Sequence, residues 1–174
     1  MSEKILAWHF VGETLLNGDS VPADGEVLRF DGDVVICESG FHASRRIIDA
    51  LSFAHNSTIC RVECADIVTE QRDKLVCRER TIVWRIADAD DLLRRFARQC
   101  ALSVIDLWDA PEIVRRYLET GDESQRDAAG DAAGAAAWDA AWAARAARAA
   151  ARKKQRNRFS KMANDLFEQQ ELGK

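Results

Sequence analysis

A chain of 174 residues, 47% hydrophobic and 31% charged, holds one ordinary domain or a small domain with an appendage, and this composition excludes a disordered polypeptide. No apolar run approaches the ~20 residues that cross a bilayer, and Met1–Phe10 lacks a secretory pattern, which sets the expectation of a cytoplasmic protein. The net charge of −4 conceals an asymmetry, because Arg145–Lys161 carries eight Lys/Arg and no acid while residues 1–144 carry 16 basic and 26 acidic side chains. Five cysteines, Cys37, Cys60, Cys64, Cys77 and Cys100, form an odd set that reads as reduced thiols rather than a disulfide framework.

Two halves read differently, with a boundary near Ala87–Asp90, which gives an α+β domain over 1–87 and an all-helical region over 88–174. In the first half Ile5–Val11 reads as a strand. Turns are expected at Asn17-Gly18, Asp24-Gly25 and Asp31-Gly32, the marks of a meander of short strands. Val34–Cys37 is a compact apolar run that Glu38-Ser39-Gly40 breaks. Phe41–Ala43 resumes it, and Ser44 is placed as the N-cap of a helix over Arg45–Ala54. Thr58–Cys64 alternates, with Cys60, Val62 and Cys64 on one side and Arg61 and Glu63 on the other, the period of a half-buried strand. Leu75–Cys77 and Thr81–Ile86 continue a small mixed or antiparallel sheet accompanied by one helix.

The second half reads as helices over about 89–108, 111–120, 124–157 and 158–170, with Pro111 at a helix start and Gly121 at a helix end. Ala128–Ala151 contains 16 alanines in 24 residues and has high helix propensity. Wound at 100° per residue, it sets Asp127, Asp131, Gly134, Trp138, Trp142, Arg145 and Arg152 along one stripe, acid first and base last, which suits the helix dipole. Its alanine faces admit close helix packing, so self-association through this region is expected. Whether the helix folds back near Lys153–Asn157 stays open.

Gly40-Phe41-His42-Ala43-Ser44-Arg45-Arg46 is the most informative stretch. A strand end presents His42 and a helix N-terminus follows, an arrangement able to hold an anion through backbone N–H groups, Ser44 and Arg45. His42, with His9 or His55, is the candidate general acid or base. The even spacing of Lys74, Arg78 and Arg80 places all three on one face of an extended segment, open to an anion or to pairing with Glu70, Asp73 and Glu79. Trp8 and Trp84 add aromatic surface that stacks on a base or fills a core. Cys60 and Cys64 lie ~13 Å apart at ~3.3 Å per strand residue, too far to share a zinc ion with bonds of ~2.3 Å to sulfur, so no metal and no cofactor is expected. Walker, dinucleotide and nucleophile-elbow motifs are absent from the sequence. The basic run around Lys153 lacks interleaved aromatics until Phe159, and the rest of the chain is acidic, so nucleic acid is disfavoured as a partner.

Trp8, Phe10, Cys37–Ser44, Ala50–Ala54, Cys60–Glu63 and Asp73–Arg80 together resemble a domain of uncharacterised proteins frequent in bacteriophage genomes, over roughly residues 5–86. The helical half is similar to the alanine-, tryptophan- and arginine-rich tails of such proteins. The order strand, Gly-Phe-His-Ala-Ser, helix, strand is similar in topology to the middle of ADP-ribosyltransferase-like folds, although Glu70 and Glu79 form no Glu-x-Glu pattern. The resemblance implies a phage accessory protein acting in the host cytoplasm. It is expected to sequester a nucleotide-like signal, a cyclic dinucleotide or an ADP-ribose derivative, through Trp8, His42, Ser44, Arg45, Lys74, Arg78, Arg80 and Trp84. Two alternatives stand beside it: a phosphodiesterase or glycosidase acting through His42, and a protein-binding inhibitor or immunity-like protein that uses the acidic surface and the helical tail.

Overall fold

A computed structural model describes residues 3–15, 18–140 and 144–172, with the side chains of 137–150 and 172 outside the description. The chain divides into two compact units, Met1–Asp90 and Asp91–Lys174. The first is an antiparallel α+β unit whose elements are β1 (Ile5–Val11), β2 (Val27–Arg29), β3 (Phe41–Ala43), α1 (Ile47–Leu51), β4 (Thr58–Glu70) and β5 (Leu75–Ile86).

The sheet is built on the long pair β4 and β5, with β1 on the free edge of β4. The other edge of β5 is shared end to end by β2, opposite Thr81–Glu79, and β3, opposite Leu75–Cys77. Just past β3, Ser44 exchanges backbone hydrogen bonds with Trp8 of β1, its carbonyl accepting at 2.7 Å and its N–H donating at 2.9 Å. The two edges of the sheet are thereby stitched together and the sheet curls round its own core. Alternation sorts the residues: Ala7, Val11, Ala43, Cys60, Val62, Cys64, Leu75, Cys77 and Ile82 form one buried cluster, while Trp8, Arg61 and Trp84, neighbours in the register, share the opposite face.

Two local expectations change. Ser44 does not cap a helix: it is 2% exposed and held as a bridge to β1, and Arg46 is the N-cap of a helix only five residues long, without a side-chain capping bond. The strand-end hydrogen bonds win because they close the sheet, which a cap at Ser44 would open. The apolar run Val34–Cys37 joins no strand. It turns, with Cys37 at φ 70 and the N–H groups of Glu38 and Ser39 both bonded to the Val35 carbonyl, and Val27–Arg29 pairs with β5 instead. The two predicted strands Leu75–Cys77 and Thr81–Ile86 are one continuous β5.

The second unit consists of α2 (Asp90–Leu102, its first residue shared with the boundary), a 3-10 turn at Ile105–Leu107, α3 (Glu112–Thr120), a further 3-10 turn at Glu123–Gln125, α4 (Arg126–Ala140) and α5 (Ala144–Leu172). The first helix stops at Leu102 rather than near 108, since the Ser103 hydroxyl takes the Cys100 carbonyl at 2.7 Å and competes with the helical ladder. Pro111 stands as the N-cap of α3 with Glu112 first in the helix, and Gly121 ends it at φ 70, the left-handed position glycine takes at low cost. No break falls at 157/158. α5 runs through, because residues 144–172 contain neither Gly nor Pro and Phe159 and Ala163, four residues apart, are both fully buried, with Phe159 stacked on Phe96 at 4.4 Å. Of the acid, aromatic and basic stripe, the side chains of Trp138, Trp142 and Arg145 lie outside the described residues.

Candidate functional site

His42 is positioned by a tight approach. Gly40, at φ +85, lets the chain turn into β3, where an added Cβ would stand 2.9 Å from Val34 Cγ1, 3.0 Å from Val76 Cγ2 and 3.3 Å from the Cys77 carbonyl. Gly40→Ala is therefore expected to destabilise the fold by about 1–3 kcal/mol in chemical denaturation, combining left-handed strain with contacts that cannot all relax.

The His42 ring is then engaged by its neighbours. Nε2 accepts the Cys37 N–H at 2.8 Å, and the ring also hydrogen-bonds the Gly40 backbone. Burial pushes its pKa down, the Gly40 bond opposes this, and Lys74 and Arg80 push it further down. The neutral ring is the form these bonds require, since a proton on Nε2 would expel the Cys37 N–H. Such a histidine is poorly disposed to act as a general acid. His9 is half-buried, and burial, then Arg80, then His42 hold its pKa well below the ordinary value. His55 is exposed.

Arg80 is the unexpected member. It is only 5% exposed, opposite Cys64 in the β4–β5 ladder, and its guanidinium lies 5.1 Å from the Phe41 ring centre. Nη1 donates to the His42 carbonyl at 2.9 Å, whereas Nε is buried without a partner. Burial lowers its pKa, and the charges that oppose this belong to Cys64, Cys77 and Cys60 rather than to a carboxylate. Burial likewise pushes the Cys60 thiol up to about 11. A hydrogen bond to Cys77, then burial, raise Cys64.

The three predicted basic residues do not share one environment. The register shift between Ile67 and Thr69, opposite Cys77 and Val76, interrupts the alternation between Lys74 and Arg78, and Leu75, Val76 and Cys77 are all fully buried. Arg80 goes into the interior. Arg78 donates to the Gly32 carbonyl at 2.6 Å and lies 3.7 Å from Asp66. Lys74 donates to Cys37 Sγ at 2.9 Å with its ammonium 4.9 Å from the Phe53 ring centre. Arg45 grips Glu70 with both edge nitrogens, at 2.5 and 2.9 Å, and Glu79 pairs with Arg29, not with the basic residues of β5. Trp8 and Trp84, each 4% exposed, meet edge to face at 6.5 Å, and Arg61 lies 4.5 Å over Trp8. They are buried and offer no platform for a base. Ser44 contributes backbone bonds only to this closure.

Of the eight predicted residues, then, His42, Lys74 and Arg80 come together, Lys74 through Cys37 and Arg80 through the His42 carbonyl. Sequence reasoning weighed His9 beside His42 but did not place Cys37 or Phe53 in the site. Phe53 is 46% exposed under a lysine, and its signal was an aromatic residue set between Ser and Ala beyond the apolar helical face. Cys37 is exposed whereas Cys60, Cys64 and Cys77 are buried and Cys100 is intermediate. Iodoacetamide on the native protein should accordingly modify Cys37 at least about tenfold faster than the three core thiols, read by peptide mass spectrometry. No group of three or more metal-ligating side chains occurs among the described residues.

The fold and site define a curled α+β domain built round a buried arginine that has no carboxylate partner among the described residues, followed in the chain by a helical unit. Residues 7–95 match the family described as a domain of unknown function (DUF7666), and the chain belongs to that family. No curated protein and no solved structure matches the chain.

Proposed function

We propose that the α+β unit binds a nucleotide-like anion and holds it intact. The observation that carries this reading is Arg80, a cation 5% exposed with an unpartnered Nε and no carboxylate to neutralise it. A fold keeps such a charge at a cost in stability, and an anion supplied from outside offsets that cost. Lys74 at the rim adds a second cation beside the exposed Phe53 ring, which suits a base next to a phosphate. The Cys37 N–H occupies His42 Nε2, which favours binding over cleavage. The ligands that fit best are a cyclic dinucleotide or an ADP-ribose derivative, sequestered in the cytoplasm of a phage-infected cell, with self-association through the helical unit.

The test incubates the protein with cyclic dinucleotides, NAD and ADP-ribose derivatives and quantifies free nucleotide before and after heat denaturation. Sequestration predicts a nucleotide that disappears and returns unchanged on heating. A nucleotide that returns as a product makes the protein an enzyme. If every nucleotide stays free, the reading fails. Sedimentation over a range of protein concentrations tests self-association.

A further inference from the structure

The guanidinium of Arg80 is rigid and planar, so the bond from Nη1 to the His42 carbonyl at 2.9 Å fixes where its other edge faces. That edge, Nε with Nη2, carries two parallel N–H donors, and its Nε is buried without a partner among the described residues. The same protein shows what such an edge does when an oxyanion is present: Arg45 places Nε on Glu70 Oε1 at 2.5 Å and Nη2 on Oε2 at 2.9 Å.

Resting on the nucleotide reading above, we propose that the Nε/Nη2 edge of Arg80 seats one phosphodiester group of the ligand, a singly charged oxyanion offering two oxygens in a plane, and rejects a terminal phosphate that carries two charges. The argument is charge balance in a low-dielectric interior. Cys60, Val62, Cys64, Leu75 and Cys77 round the curl are all fully buried. Burial raises the Cys60 pKa, a hydrogen bond to Cys77 and then burial raise that of Cys64, and burial lowers those of His9 and His42, so Arg80 supplies one unit of positive charge there. Cys77 is the one thiol drawn downward, by the Cys64 hydrogen bond despite burial and then by Arg80. A diester brings one negative charge and two acceptors, which neutralises the arginine and satisfies its free edge. A phosphomonoester above its second pKa of about 6 brings a second charge with nothing to pair it, and a lone buried charge is strongly disfavoured. Lys74 stands at the rim with its ammonium on Cys37 and serves the outer part of the ligand.

The experiment uses the 15N-labelled full chain at pH 7.5 and follows the Arg80 Nε–H resonance, assigned through Arg80→Lys. Dimethyl phosphate, methyl phosphate and acetate are the probes. Dimethyl phosphate is expected to move the resonance and to bind at least about tenfold more tightly than methyl phosphate. Arg80→Lys, which keeps the charge and loses the fork, should weaken the diester at least about tenfold. An unmoved resonance, methyl phosphate binding as tightly as the diester, or unaltered diester binding to Arg80→Lys overturns the seat. Acetate binding more tightly than the diester also overturns it, by assigning the edge to a carboxylate. A cyclic dinucleotide retained by the protein with the Arg80 resonance unmoved keeps the nucleotide reading and removes this seat. A resonance moved by dimethyl phosphate with no nucleotide retained supports the seat and removes the nucleotide.

Discussion

Arg80→Met is expected to raise the stability of the protein by about 1–3 kcal/mol while abolishing anion binding, a pairing of effects that separates a ligand-binding cation from a structural one. Methionine has nearly the length of the arginine stem and fills the same space beside Phe41 and Cys64, so packing against the core is retained. What disappears is a charge that burial already drives toward neutrality and a single hydrogen bond to the His42 carbonyl. A bond of that kind is worth about 1.5–3 kcal/mol where one partner is charged, less than the several kcal/mol that effective desolvation of an unpaired ion costs. Urea denaturation measures the stability, and the heat-release assay measures binding. Loss of more than about 2 kcal/mol in Arg80→Met would make the arginine a structural element, held for its bond to β3.

Acid is expected to weaken the protein between pH 7 and 5 because of His9 and His42. Both are held below the ordinary histidine value of 6.5, in each case by burial first, with Arg80 adding to both and Lys74 to His42. The folded protein therefore binds fewer protons than the unfolded chain below that value. The stabilisation is complete above pH 6.5 and is lost as the pH falls toward the lowered folded values, with a slope of at most about 1.4 kcal/mol per pH unit for each histidine. Replacing either residue by glutamine should flatten the curve of stability against pH in this window. Arg80→Met should flatten it too, since it removes one cause of both shifts. A slope unchanged in all three variants would place the acid sensitivity in other groups.

Much of the architecture was legible in local pattern. Cys60, Val62 and Cys64 alternate with Arg61 and Glu63, and β4 buries the cysteines and valine. Gly121 ends a helix at a left-handed residue where a glycine after an apolar stripe was expected to. Such features depend on a few neighbouring residues, so propensity and periodicity reveal them. Ser44 shows where that reasoning stops. A serine before an apolar helical face has the signature of an N-cap, but whether it caps or bridges depends on Trp8, 36 positions away, and the chain takes the bridge.

The candidate site shows the same division. The sequence by itself determined that His42 follows a glycine turn and that Lys74, Arg78 and Arg80 stand close together in the chain. Only the tertiary structure decided that Lys74 meets Cys37, that Arg78 reaches the Gly32 carbonyl, and that Arg80 turns inward beside Phe41. Even spacing places residues on one face only while the ladder is regular, and the register shift at Ile67/Thr69, opposite Cys77 and Val76, breaks that regularity between Lys74 and Arg78. The physical reason is range: helix caps and strand alternation are set by neighbours in sequence, whereas the burial of a charge and the absence of its counterion are set by which distant strands pair, and in what register, once the sheet has closed.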